Sequence, residues 1–338
     1  MTEPRFLVVR LGSLGDIVHT FAAVAGLRES FPKAEIVWVT HPRWKALVES
    51  SELATETWEL ETRSYSSVRD ALTRTRKKQF TTAIDYQGLW KSASLPFLGR
   101  VPQRIGFSSQ SVREFGVPLL YTNRVRCTQA HIADQNGELS QRAGARNGVG
   151  SFQLSVPSLQ EAFALQLFRG FGLDRYVALS PAGGWRSKCW PPERYGALCQ
   201  QIHANLGLRC ILNQGPGDGE CIAAVKAASG DAAPIACNSS LHQLMVFLRN
   251  ALCVVAGDTG PLHLAVALGT PVVALFGPTD PTRNGPYRTA RDSGKDIVLR
   301  SSHAVTTYKR GDRPDSSLLA LDVATVFDAV RHCVEARR

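Results

Sequence analysis

From Phe6 onward, short apolar runs alternate with longer amphipathic segments, and this alternation predicts a parallel α/β protein. Phe6–Arg10 reads as a strand, Leu14–Ser30 as a helix, Ile36–Thr40 as a strand and Thr81–Tyr86 as another. In the first helix Leu14, Ile17, Val18, Phe21, Val24, Ala25 and Leu27 follow helical spacing, a broad apolar stripe suited to packing on a sheet. A helix is expected over His131–Ala145. After it, RNGVGSFQLSVPS is rich in Gly, Ser and Pro, keeps no period, and marks a linker. A second series follows: strand Tyr176–Ser180, helix Pro192–His203, strand Arg209–Asn213, helices Asp218–Ser229 and Leu241–Arg249, and strands Leu252–Ala256 and Pro271–Phe276. The pattern therefore predicts two doubly wound domains, residues 1–155 and 156–320. A last helix, Val323–Val334 within residues 321–338, is expected to cross back over the first domain. In open α/β sheets ligands bind beyond the carboxyl ends of the strands, so each half should offer one loop surface to a shared cleft.

The most informative stretch is AGDTGPLHLAVALGTPVVALFGPTDP, Ala256 to Pro281. It stacks a strand end, the turn Asp258-Thr259-Gly260, a helix opened by Pro261 and a second strand. A helix starting there would aim its unpaired N–H groups and positive dipole end at an anion above the sheet, whereas the plainer reading makes Asp258 a helix cap. A strand followed by Asp-Thr-Gly also occurs in aspartic proteases, but the helix-sized apolar run directly after it contradicts that all-β context.

Three further strand-to-helix loops carry candidate chemistry. Leu11-Gly12-Ser13-Leu14-Gly15-Asp16 follows the first strand and its terminal Arg10. Asp16 is either a helix-start acid favoured by the dipole or a general base for an acceptor hydroxyl. The glycine spacing is GxxGD rather than GxGxxG, which argues against a dinucleotide fingerprint and a dehydrogenase. In the second half Gly183 and Gly184 allow backbone amides to approach phosphate, and Lys188 can neutralise a diphosphate or simply face solvent. Trp190-Pro191 reads as packing and a helix start. In Asn213-Gln214-Gly215-Pro216-Gly217-Asp218-Gly219-Glu220, either Asp218 or Glu220 could meet a ribose, and either could equally be a helix N-terminal acid.

The 338 residues leave room for two domains of roughly 150 residues each. The formal net charge is +10, with 20 Lys/Arg against 14 Asp/Glu in residues 1–150 and 19 against 15 in residues 151–338. The run Arg74–Lys78 (RTRKK) and the series Arg100, Arg104, Arg113, Arg124 and Arg126, with Glu114 as its one acid, suit an anionic substrate or membrane, or else solvated helix ends and loops. No nucleic-acid module accompanies the charge. The eight cysteines are scattered without a CxxC pair and the histidines form no ligand-spaced cluster, so reduced core cysteines and no metal are expected. No apolar run approaches a signal peptide or a membrane span, which predicts a cytoplasmic protein.

Together, RLGSLGDIVHT, SKCWPPERY, GPGD and the Asp258-Thr259-Gly260 to Gly277-Pro278-Thr279-Asp280-Pro281 block resemble the ADP-heptose:lipopolysaccharide heptosyltransferases, glycosyltransferase family 9, over almost the whole chain. Asp85-Tyr86-Gln87-Gly88-Leu89-Trp90-Lys91-Ser92-Ala93, Ser111-Val112-Arg113-Glu114 and the run ending Gln129-Ala130-His131 look closer to heptosyltransferase I than to II. The resemblance implies the GT-B arrangement, two Rossmann-like doubly wound parallel-sheet domains facing a central cleft, with the acceptor on the first and the ADP-sugar on the second. It further implies inverting transfer of heptose from ADP-L-glycero-β-D-manno-heptose to Kdo on lipid A, without cofactor or metal. Asp16 would be the base. Gly183, Gly184, Lys188, Asp218, Glu220, Asp258, Thr259 and Gly260 would hold the donor, and Arg10, Lys91, Arg104 and Arg113 the acidic acceptor. Gly183 and Gly184 stand where heptosyltransferase I typically has hydroxyl residues, leaving phosphate contact to backbone groups. A monomer in peripheral contact with the cytoplasmic face of the inner membrane is expected. A heptosyltransferase II-like or other ADP-sugar transferase, a non-catalytic sugar-nucleotide binding protein and a nucleotide-sugar epimerase are the alternatives.

Overall fold

The computed structural model describes residues 3–112, 114–170, 174–288 and 296–337, the side chain of Leu167 apart. The chain divides into two units, Met1–Ser155 and Val156–Arg338. The first runs β1 (Arg5–Val9), α1 (Leu14–Ser30), β2 (Glu35–Thr40), α2 (Lys45–Glu49), β3 (Glu56–Glu59), α3 (Tyr65–Lys78), β4 (Thr82–Asp85), α4 (Trp90–Leu98), β5 (Gln103–Phe107), β6 (Asn123–Val125) and α5 (Ile132–Arg142). The second runs α6 (Ser158–Gly170), β7 (Tyr176–Ser180), α7 (Pro192–Leu206), β8 (Arg209–Gln214), α8 (Gly219–Ala227), β9 (Ile235–Asn238), α9 (Leu241–Asn250), β10 (Cys253–Gly257), α10 (Gly260–Ala267), β11 (Val272–Phe276), α11 (Pro281–Asn284), β12 (Ile297–Arg300), α12 (Ser316–Leu319) and α13 (Val323–Glu335).

Each unit holds one six-stranded parallel sheet, ordered β3-β2-β1-β4-β5-β6 and β12-β11-β10-β7-β8-β9. These are the same winding: the chain builds outward from the first strand, then returns to pair the fourth strand on its other side. Strand order therefore reverses between β1 and β4 in one unit and between β7 and β10 in the other. The central strands are sandwiched, with Phe6–Val9, Val177–Ser180, Cys253–Gly257 and Val272–Phe276 all buried, as near-continuous apolar runs of parallel sheets require.

The α1 stripe lies in the core along its length: Leu14, Ile17, Val18, Phe21, Val24, Ala25 and Leu27 are all buried, and α1 packs on α5. Truncating one such side chain, Ile17→Ala for instance, would cost about 2–5 kcal/mol. In the second core Trp190 donates through Nε1 to the Leu321 carbonyl at 3.0 Å, and the Arg194 guanidinium reaches the same oxygen at 2.6 Å. The apolar face of α13, with Val326, Val330, Cys333 and Val334, completes this second core.

The Arg74–Lys78 run closes α3, with Arg76, Lys77 and Lys78 in its last turn. There Lys78 pairs with Glu35 and Glu56, Arg74 lies over the Trp58 ring and Arg76 holds the Leu98 carbonyl. Cations suit a helix C-terminus, so this run is structural.

Candidate functional site

In the first unit the register sets Val9, the end of β1, opposite Asp85, the end of β4, so the loops that follow share the reversal point. Arg10 continues β1 and is buried. Its Nη1 donates to the Tyr86 carbonyl, and its Nη2 lies 2.8 Å from Asp16 Oδ1. Asp16 stands in the first turn of α1, where Oδ2 accepts from the Ser13 amide and the Ser13 hydroxyl, both at 3.0 Å. The Asp16 side chain is 45% exposed against 9% for Arg10, so the carboxylate is accessible while its counter-charge is fixed behind it. Partial burial raises the Asp16 carboxyl, but the Arg10 charge and the Ser13 donors outweigh it and hold the group below its ordinary range.

The β4 loop builds this arrangement. Asp85 is buried and accepts from the Gln87 and Gly88 amides through Oδ1, and from Ser92 Oγ at 2.9 Å and Tyr121 OH at 2.7 Å through Oδ2. Gln87 in turn accepts the Leu11 amide at 2.7 Å, tying the two loops together. His19, one turn along α1 from Asp16, sets its ring edge-on to His131, centroids 5.2 Å apart.

Lys91 is exposed on the first turn of α4. Arg104 spends its guanidinium on the Leu120 and Val101 carbonyls, at 2.8 and 2.6 Å. Arg113 lies outside the described residues.

In the second unit Ala256 of β10 lies opposite Ser180 of β7, and the loops after both strands again meet at the reversal. Asp258 is buried, with Oδ2 2.6 Å from Lys188 Nζ and Oδ1 3.2 Å from His263 Nε2. Burial pushes the Asp258 carboxyl up, but His263 and Lys188 overcome this and bring it far below the usual carboxylate range. Close backbone approach allows the pairing. A Cβ on Gly257 would come within 2.6 Å of the Lys188 carbonyl, and one on Gly183 within 2.7 Å of Thr259 Cγ2. Gly184 has open space beside it. Thr259 caps α10 and Gly260 opens it, so the dipole's positive end falls beside the Lys188–Asp258 pair.

Asp218 precedes α8 and accepts the Gly215 amide through Oδ2 at 2.8 Å, which locks the turn, whereas Glu220 is exposed in the helix's first turn. The sequence reading assigned no role to three residues here. His263 lies in α10, five residues after Asp258 in the turn before it, a spacing readable from sequence. Trp185 carries Lys188 Nζ 4.4 Å and the Arg310 guanidinium 5.4 Å from its ring centroid. Arg310 arrives because Ser187 and Gly311 exchange hydrogen bonds and the Asp315 amide donates to the Ser187 carbonyl, contacts no local sequence pattern announces. Among the described residues no three His, Cys, Asp or Glu side chains gather as a metal site.

Two Rossmann-wound units, each with a cation–carboxylate pair at its reversal point, define a doubly wound α/β protein of the kind whose ligands sit beyond the carboxyl ends of the strands. The chain belongs to glycosyltransferase family 9 (heptosyltransferase), whose pattern it matches over residues 68–304. It is 28% identical over 328 residues to lipopolysaccharide heptosyltransferase 1 of Escherichia coli O18:K1:H7, covering 90% of this chain and 96% of that relative. Its fold is similar to a family 9 glycosyl transferase from Veillonella parvula, with a TM-score of 0.86 and 21% identity over 99% of this chain and 98% of that one. It is likewise similar to the E. coli heptosyltransferase WaaC with ADP, with a TM-score of 0.74 and 24% identity over 99% and 100% of the two chains. At these identities the structural likenesses bear on the fold, which is that of the GT-B heptosyltransferases. The chain is therefore a glycosyltransferase, which sets the epimerase alternative aside.

Proposed function

We propose that the chain is an inverting heptosyltransferase that moves L-glycero-D-manno-heptose from its ADP β-linked donor to a Kdo hydroxyl of the lipopolysaccharide inner core. The observation that carries this reading is the Lys188–Asp258 pair at the head of α10: a cation and a helix N-terminus meet where a diphosphate leaving group would gather charge. The name of the E. coli relative supports the Kdo-directed step.

Asp16 is the base. It is already ionised at neutral pH and accessible, and Arg10 and Ser13 fix its direction. The acceptor oxygen forms its bond to the anomeric carbon as its proton passes to Asp16, while the bond from that carbon to the β-phosphate oxygen breaks and ADP leaves from the opposite face. One displacement inverts the centre. Lys188 and the Thr259 and Gly260 amides receive the leaving diphosphate, a role that needs no metal, with Arg310 adding positive charge across Trp185. As Lys188 turns toward phosphate, Asp258 is released to the heptose hydroxyls. Gly183 and Gly184 bring backbone close to the diphosphate. Glu220 rather than Asp218 meets the ribose, because a turn amide already occupies Asp218. Lys91 and Arg113 meet acceptor carboxylates and phosphates, and Arg104 holds the Leu120 carbonyl.

The test is ADP release from ADP-heptose with and without Kdo-lipid A, with product mass by mass spectrometry, Asp16→Ala as control and EDTA in one arm. Release that needs acceptor, adds one heptose and survives EDTA is expected. Addition only to an already heptosylated acceptor would make the chain a second-step enzyme, and donor binding without turnover would make it a binding protein. Loss of turnover in EDTA would overturn the metal-independent mechanism.

A further inference from the structure

In the second unit α13 packs on β10, β11 and β12 and brings Cys333 against Cys253, the first residue of β10. Both side chains are buried, and the two thiols hydrogen-bond one another. A second pair of the same kind joins Cys210 of β8 to Cys199 of α7 in the same core. Sulfurs in contact between a helix and a strand have only a short approach to make before they reach the ~2.05 Å of a disulfide. Access separates the two pairs. A cavity of about 150 Å³ lies where the end of α13 meets the chain entering β11 and β12. Its wall includes Pro271, Ile297, His332, Cys333, Ala336 and Arg337, and because His332, Ala336 and Arg337 are exposed it opens to solvent. That volume admits several waters, and hydrogen peroxide is little larger than water. Cys199 and Cys210 are not among the described residues of this wall.

The thiol hydrogen bond also sets an order within the pair. Cys253 donates to the Cys333 sulfur, which draws the Cys333 thiol below its ordinary range against the opposing effect of burial, while the same bond and burial push Cys253 up. Burial raises the half-buried thiols Cys127, Cys189, Cys221 and Cys237 instead. Arg337, bonded to the Ala251 and Arg249 carbonyls, adds positive charge to the cavity wall. The acid nearby, Asp296, is taken by the Arg288 guanidinium at 2.6 and 2.7 Å. Because the thiolate is the form that attacks peroxide, Cys333 is the sulfur to react first and Cys253 the one to follow.

We propose that Cys333 and Cys253 form a reversible oxidation site, which takes a small peroxide through this cavity and latches α13 to β10. With hydrogen peroxide, the Cys333 sulfur attacks one oxygen, the O–O bond breaks, and the other oxygen leaves as water, giving a sulfenic acid. The Cys253 sulfur then attacks Cys333, the S–O bond breaks, a second water leaves and the disulfide forms. Two thiols lose two electrons and the peroxide gains them, and a thiol reductant reverses the change. In a reducing compartment such a bond is transient and responsive rather than a permanent staple. The product is read by mass with neither donor nor acceptor present, so this proposal and the transferase reading stand or fall separately.

The experiment exposes the reduced, folded full chain to hydrogen peroxide, stops the reaction with catalase, denatures the protein in N-ethylmaleimide and maps its peptides without reductant. A peptide joining Cys253 to Cys333, lighter by two hydrogens than its parts, should accumulate and should vanish after dithiothreitol. It should form at least about tenfold faster than any Cys199–Cys210 link, since only the first pair borders the cavity. Cys253→Ser, checked for a wild-type melting temperature, should stop at the sulfenic acid, trapped on Cys333 by dimedone. Wild-type protein whose Cys253 and Cys333 both carry maleimide after peroxide would overturn the proposal. So would equal linking of the two pairs, which would mean that oxidation follows unfolding, or Cys333 joined to some other cysteine.

Discussion

The two units share one winding and set a cation–carboxylate pair at the same point in it, yet they build the pair in opposite senses. In the first, the cation is Arg10, directly after the first strand and buried, and the carboxylate is Asp16, borne on the helix and half in solvent. In the second, the carboxylate is Asp258, directly after the fourth strand, its side chain 6% exposed, and the cation is Lys188, on the loop after the first strand. In the first pair the cation is buried and the carboxylate reaches solvent; in the second both partners are largely buried, Lys188 at 14% and Asp258 at 6% side-chain exposure. Under the proposed function the first arrangement keeps a base ionised and aimed, and the second holds a cation ready for the leaving diphosphate.

Charge removal should separate the two pairs. Asp16→Asn should lower transfer by about 10²–10⁴-fold, measured as acceptor-dependent ADP release, while its urea midpoint stays near wild type. Asp258→Asn should do the reverse in emphasis, costing about 3 kcal/mol of unfolding free energy because Lys188 and His263 lose a buried counter-charge. Equal losses of stability in the two variants would dissolve the distinction. A pH series sharpens it. The Asp258 carboxyl is depressed in the folded state, so its contribution is complete above the ordinary value of 3.8 and is lost as pH falls toward the depressed one. The gap in urea midpoint between wild type and Asp258→Asn should therefore be widest near neutrality and narrow in acid.

Lys188→Ala should raise the KM for the donor by about tenfold or more, as loss of one charge-assisted contact predicts. The smallest effect belongs to Arg310→Ala, about two- to fivefold on the same KM, the scale of an exposed cation–aromatic contact. A larger effect for Arg310 than for Lys188 would reverse their order at the diphosphate.

What the sequence disclosed follows burial. β1, β4, β7, β10 and β11 are apolar runs flanked by turn residues, and their loops hold Asp16, Lys188 and Asp258, so both reversal points were legible. β3 (Glu-Thr-Trp-Glu) and β6 (Asn-Arg-Val) sit at sheet edges, where one side meets solvent and periodicity fades, and α3 is too polar to show an apolar stripe. The resemblance implies Arg10 as an acceptor residue, and its partners, the Tyr86 carbonyl and Asp16, were not legible because they are set by pairing between strands far apart in sequence. Arg310 was invisible for the same reason: it comes to Trp185 through hydrogen bonds to Ser187, more than a hundred residues away.

Asp85 has a thermodynamic consequence. One buried carboxylate gathers donors from the β4 loop, from α4 and from Tyr121. Ordering a single residue's backbone costs roughly 1–2 kcal/mol, so a loop left loose until the acceptor arrived would subtract several such increments from the affinity. Folding has already met that entropy at the β4 loop, so under the proposed function the acceptor would not have to.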